Sequence, residues 1–114
     1  MLHRKSKDVE SQAVTKEGAR ETFKRLLVGE KDGPPNFQMR LFEVRPGGHS
    51  PYHSHAWEHE TYIVSGRGSV RTEQGNVAIE AGDVVFLKPG ETHSFQADGG
   101  ETLSFICCVP NGAS

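Results

Sequence analysis

The sequence predicts an all-β domain, a sandwich or barrel of short strands. Three observations carry this. From Thr22 onward, short segments rich in β-branched and aromatic residues alternate with Gly and Pro breaks, at the roughly 8–12-residue spacing typical of such folds. No segment past residue 20 holds a helical stripe that a strand cannot equally explain. The chain has 114 residues, enough for one core and no second.

Residues 1–20 are polar and mixed in charge and read as an N-terminal arm ahead of a domain at 21–114. Lys16 to Leu27 is the best candidate for a helix, but Phe23, Leu26 and Leu27 also suit a strand, and a strand is placed at 22–29. Further strands fall at 37–45, 51–56, 60–65, 68–73, 77–80, 84–88, 93–97 and 102–109. The breaks between them carry turn residues such as Pro46-Gly47-Gly48, Gly66, Gly75-Asn76, Gly82-Asp83 and Pro89-Gly90. In the last strand Leu103, Phe105, Cys107 and Val109 share one face, and Ser104, Ile106 and Cys108 the other. Both faces are largely apolar, which predicts burial on both sides or a pocket on one.

Composition excludes several classes. The longest apolar run, Val84 to Leu87, is far short of the roughly 20 residues of a membrane span. A net charge of −2 gives no reason to expect nucleic acid or an anionic membrane as partner. The basic start at His3, Arg4, Lys5 and Lys7 is followed by no apolar stretch, so no secretory signal is expected. The two cysteines, Cys107 and Cys108, are adjacent and cannot form an ordinary disulfide. A reducing cytoplasm is the expected location.

The stretch HSPYHSHAWEHE, residues 49–60, holds four of the six histidines. His53 and His55 are two apart, so on a strand they point the same way and can converge on one ion. His59 follows after Ala56-Trp57-Glu58, long enough for a turn and a return, and His93 opens a later strand just past Pro89-Gly90. Neutral imidazole suits Mn, Fe, Ni, Cu and Zn alike, so the residues name a class of site and not an element. Four such donors on a tetrahedral ion close the site; on an octahedral ion they leave two positions open and the positive charge uncompensated. Unperturbed imidazoles near pKa 6.5 would release the metal below roughly pH 5–6.

The spacing Gly47-x5-His53-x-His55-x3-His59-x6-Gly66 resembles the first motif of the cupin superfamily, and Gly82-x6-Pro89-Gly90-x2-His93 the second. The wider run from Phe37 to Pro110 is similar to a small single-domain cupin. There are two departures: His59 stands where the usual metal carboxylate would be, and Ala97 where the second motif often ends in Asn. The resemblance implies a cupin-type double-stranded β-helix (jelly-roll) barrel with a four-histidine site. Its metal would be a divalent transition metal, most often manganese, with Fe, Ni, Zn and Cu as alternatives. Glu60 is the rival to His59 as third ligand; the distance to Gly66 favours His59 and turns Glu60 to the opposite face. The resemblance also implies a homodimer, for which exposed strand edges give a weak physical reason.

Around the metal, Cys107 and Phe105 could line the pocket, although Cys107 reads first as a small buried hydrophobe. Phe42 and Trp57 read as core or as pocket wall. Glu58 and Glu60 could fix histidine tautomers or accept protons. Arg40 and Gln38, on an early strand, read as solvent-exposed or as contacts to an anionic substrate. The leading functional expectation is a Mn- or Fe-dependent oxidoreductase of dioxygenase type on a small, partly hydrophobic substrate. The alternatives are a non-catalytic module binding a small molecule, a Lewis-acid isomerase and a closed structural zinc site.

Overall fold

The computed structural model describes residues 1–113. Strands form where alternation and turn residues predict them, with one exception, and a short strand that the sequence reading did not place is added in the N-terminal arm. They are β1 (Gln12–Ala13), β2 (Arg20–Val28), β3 (Phe37–His49), β4 (His59–Ser65), β5 (Arg67–Thr72), β6 (Gly75–Glu80), β7 (Val84–Leu87), β8 (His93–Ala97) and β9 (Leu103–Pro110). Helix among the described residues is confined to 3-10 turns at Ser6–Asp8 and Glu30–Asp32. The ambiguous stretch ending at Leu27 becomes β2, because β3 offers it a full antiparallel ladder from Thr22↔Val44 to Val28↔Met39.

The strands join in one curled antiparallel sheet of order β6-β5-β8-β3-β9-β4-β7, with β2 against β3 and β1 outside β2. This is the all-β cupin-type architecture expected. β3 organises it. Along one edge it pairs with β2; along the other it pairs first with β9, from Phe37 to Val44, and then with β8 at His49. The switch of partner needs a sharp corner, and Pro46-Gly47-Gly48 makes it. A Cβ on Gly48 would lie 2.6 Å from the Arg20 carbonyl oxygen, so only glycine lets the two backbones approach this closely.

The exception is 51–56. No strand forms there; its single pairing is an isolated bridge between His53 and His93. Pro51 has no N–H for a ladder, and the segment crosses the barrel mouth as a loop.

Inward-facing residues follow strand parity. Val44, Ile63, Val70, Leu103 and Val109 are fully buried. Phe95 stacks on Phe105 at 4.2 Å between ring centres, and Phe42 stacks on Phe105 at 5.3 Å. This aromatic pile ends the apolar core and floors the space above it. Residues ahead of β2 are tied to the barrel: the Val14 N–H donates to the Thr22 carbonyl at 2.9 Å, and Arg25 donates to the Val9 carbonyl at 2.6 Å while pairing with Glu43 at 3.0 Å.

Gly66 tests how tightly the turns are built. Its φ is +85°, and a Cβ there would sit 2.2 Å from the Thr102 carbonyl oxygen. Gly99 has φ +74° with open space around it. Urea denaturation should therefore show Gly66→Ala losing about 3 kcal/mol or more, clash added to strain. Gly99→Ala should lose only about 1 kcal/mol, from the left-handed conformation alone. Equal losses would contradict the packing described here.

Candidate metal centre

The loop between β3 and β4 is sewn onto β8. The Ser50 N–H donates to the Phe95 carbonyl at 2.9 Å, and the Phe95 N–H donates to Ser50 Oγ at 2.8 Å. Ser94 Oγ donates to the Ser50 carbonyl at 2.6 Å. Then the His53 N–H donates to the His93 carbonyl at 3.1 Å, and the His93 N–H donates back to the His53 carbonyl at 2.9 Å. The Gly90 N–H holds the His55 carbonyl at 2.7 Å. Two histidines 40 positions apart in sequence are thus locked side by side by their own backbones.

The side chains converge accordingly. His53, His55 and His93 each bring a ring nitrogen to within 4.8 Å of the other two. His59 enters from β4, where it is buried while its neighbour Glu60 is exposed on the opposite face. Its ring centre lies 4.9 Å from that of His55 and 5.3 Å from that of His93. It stands beside the trio and is held differently: its Nδ1 is 3.0 Å from Cys107 Sγ, and its Nε2 is buried with no partner.

Ring orientation and tautomer follow from these partners. A carbonyl can only accept, so the 2.9 Å contact between His93 Nδ1 and the Glu91 oxygen puts the proton on Nδ1 and leaves Nε2 with a free lone pair. Trp57 lies flat on His55, ring centres 4.7 Å apart and planes 8° from parallel, which fixes that imidazole from outside. Burial, foremost, pushes His53 and His55 down to about 4, and His59 to about 3, each helped by neighbouring positive groups. His93 is lowered by burial against the raising effect of Glu91. All four imidazoles are therefore neutral near pH 7, the state in which they donate to a metal.

The cavity they face has a volume of about 60 Å³, room for a few water-sized groups at roughly 10–15 Å³ each. Of the pocket residues expected from sequence, Arg40, Phe42, Phe105 and Cys107 line it, and Trp57 and Glu60 do not. Trp57 backs a histidine from behind, and Glu60 faces out beside Glu58, which raises its carboxyl by sharing a hydrogen bond. Of the two readings of Arg40 from sequence, exposed strand residue or pocket residue, the structure bears out the second: it is buried at 7% exposure. Sequence reasoning missed Lys16, Thr22 and Lys24 on the cavity wall. The alternation of Thr22 and Lys24 along β2 was the available signal, but it needed the pairing with β3 to say which face was inside.

The donor set fits a divalent transition metal. It consists of neutral nitrogens, and one of them, His59 Nε2, is a buried polar atom that no group among the described residues satisfies. Among the described residues, no carboxylate lines the cavity.

Comparison with known proteins agrees with the fold. Residues 40–109 match the family model described as a cupin domain. Among curated proteins, the chain is 36% identical over 72 residues to the 1-methylthio-D-xylulose 5-phosphate methylsulfurylase of Rhodospirillum rubrum, covering 63% of this chain and 46% of that protein. It is also 36% identical over 76 residues to the oxalate-binding protein of Thermotoga maritima, covering 63% of each. The match thus spans less than two thirds of either relative. Among solved structures, the polyketide cyclase RemF from Streptomyces resistomycificus superposes with a TM-score of 0.92 at 35% identity, covering 96% of this chain and 79% of that one.

The lowered histidines make stability depend on pH with a definite sign. An unfolded imidazole takes a proton near 6.5; in the fold, His53 and His55 resist until about 4. Between these values the unfolded chain binds more protons than the folded one, so acid favours unfolding. The metal-free protein should keep full stability above about pH 6.5, lose it progressively down to about 4, and level off below as far as these groups are concerned. Melting temperatures across that range check it, with His55→Gln giving a shallower slope. Identical slopes in the two proteins would rule the histidines out as the cause. Burial also moves proton competition for the site below the pH 5–6 expected of free imidazoles.

Proposed function

Because the chain belongs to the cupin domain family, we propose that it is a metal-dependent enzyme in which His53, His55, His59 and His93 hold one divalent transition metal, manganese being the first candidate. The observation that carries this reading is the meeting of four neutral imidazoles at one cavity, one of them with an orphan ring nitrogen. When bound, such an ion supplies Lewis-acid polarisation of a substrate carbonyl. The chain's own residues do the rest. The Glu91 carbonyl and Cys107 orient His93 and His59, and the pile of Phe42, Phe95 and Phe105 excludes water beneath the reacting group.

Likeness to a polyketide cyclase over nearly the whole chain supports redox-neutral carbonyl chemistry, an intramolecular aldol closure or an isomerisation. The dioxygenase reading is the alternative, supported by the aromatic floor, which suits a small, partly hydrophobic substrate. A non-catalytic binding module is the third, supported by likeness to an oxalate-binding protein. We place the protein in the cytoplasm on its two free cysteines.

A linear 1,3,5-triketone separates the three. Elemental analysis of the protein as isolated should find stoichiometric divalent metal, and His55→Ala should weaken its retention by more than roughly 100-fold, beyond the loss typical of outer-shell changes. Anaerobic, metal-dependent cyclisation of the triketone is the expected result. Turnover only with oxygen uptake would transfer the assignment to a dioxygenase, and tight binding without turnover to a binding module. Failure to take up any divalent metal would overturn all three.

We further propose that the chain pairs with a second copy through the outer face of β3, β9, β4 and β7. Across that face the register sets Leu41, Ile106, Tyr62 and Val84 in one row, and Met39, Cys108, Glu60 and Phe86 in the next. Tyr62, Val84 and Phe86 are 51%, 73% and 52% exposed, and apolar surface of this kind, interrupted here by Glu60, marks an interface. Light scattering should give the mass of two chains for the wild type and of one for Val84→Asp. A monomeric wild type would refute the pairing.

A further inference from the structure

Among the described residues, the cavity wall carries three cations, Lys16, Lys24 and Arg40, and neither Asp nor Glu. Arg40 is the most constrained. Its Nη2 donates to Cys107 Sγ at 3.4 Å, its guanidinium carbon lies 5.0 Å from the centre of the Phe42 ring, and its Nε is buried without a partner. Neither Arg40 nor Lys24 has an ion pair among the described residues. A buried, uncompensated guanidinium is costly, and a chain retains one where a ligand brings the missing charge.

The position of these cations adds a second observation. Lys24 and Arg40 also line a larger groove of about 550 Å³, together with Gln38, Asn111 and one carboxylate, Glu30, which pairs with neither cation in the structure. They stand in the wall between the small histidine cavity and this groove. β2 and β3 are paired here with Lys24 opposite Phe42 and Leu26 opposite Arg40, so the two cations reach the same wall from adjacent strands. The region is already crowded with positive charge: burial, then Arg40 and Lys16, lowers the Lys24 ammonium.

We propose that Arg40 and Lys24 form an anion subsite that receives a carboxylate of the ligand beside the four imidazoles, the rest of the ligand extending into the groove. The proposal rests on the same cavity being the ligand site, and it names the substrate class: a small oxygen-rich carboxylic acid longer than the histidine cavity alone can hold. A carboxylate matches the planar donor edge of the guanidinium, and the nearby ammonium adds charge without fixing direction.

Acetoacetate and its neutral isostere acetoacetamide test it by calorimetric titration of the purified protein, with metal content measured on the same sample. Acetoacetate should bind roughly 10- to 100-fold more tightly, as charge-assisted hydrogen bonds are worth. Lys24→Gln and Arg40→Gln should each erase most of that preference, with the metal content of Lys24→Gln unchanged. Should Arg40→Gln fail to fold, Lys24→Gln decides alone. Equal affinity for the two probes, no binding of acetoacetate, or an undiminished preference in Lys24→Gln would overturn the subsite. A preference found in protein that takes up no divalent metal keeps the subsite and removes the metal reading. Metal-loaded protein without the preference does the reverse.

Discussion

Two backbone hydrogen bonds, exchanged between His53 and His93, are the constraint on which the rest of the site depends. They tie a loop that cannot be a strand to the start of β8. Side chains on a free loop would sample many arrangements, and ordering them at each binding event would cost conformational entropy. Here that ordering is complete on folding. The serine bonds at Ser50 and Ser94 extend the same seam by three residues, and the His55 carbonyl is held at its far end by the Gly90 N–H. The histidines are thus presented by main-chain geometry, which substitutions elsewhere disturb least.

Burial then sets their chemistry. Four imidazoles this close would repel one another if protonated, and the apolar floor of Phe42, Phe95 and Phe105 offers no compensation. Desolvation keeps them neutral, so the lone pairs that a metal needs are available near pH 7. The same burial leaves His59 Nε2 unsatisfied. That is a local cost which the fold carries for the sake of the site, and Cys107 limits it by holding the other nitrogen of the ring.

Strand parity divides the labour of the sheet. On β3, Arg40 and Phe42 turn to the cavity while Met39 and Leu41 turn outward. On β4, His59, Thr61 and Ile63 face in, and Glu60, Tyr62 and Val64 face out. On β9, Phe105 and Cys107 line the cavity, and Ile106 and Cys108 join the outer apolar rows. One register therefore puts the histidine cavity on one face and the exposed apolar residues on the other. A slip of a single residue would exchange them.

Much of this was legible in the chain. Alternation marked most of the strands, glycines marked the corners, and the spacing from His53 to His59 and from Pro89 to His93 marked the histidines that meet. Those signals are local: they come from backbone conformations that each short segment prefers by itself. The sequence also misled, at 51–56, where parity supported a strand and Pro51 together with the crossing of the barrel mouth allowed only one bridge. What tertiary structure alone decided was which faces look at each other. Arg40 read either as an exposed strand residue or as a pocket contact, and it is buried over the cavity because β9 brings Cys107 beside it. Lys24 joins it because β2 lies along the other edge of β3. Partnerships between residues 48 or 67 positions apart depend on sheet order and register, which arise only when every strand has found its neighbour, and no single stretch of sequence encodes them.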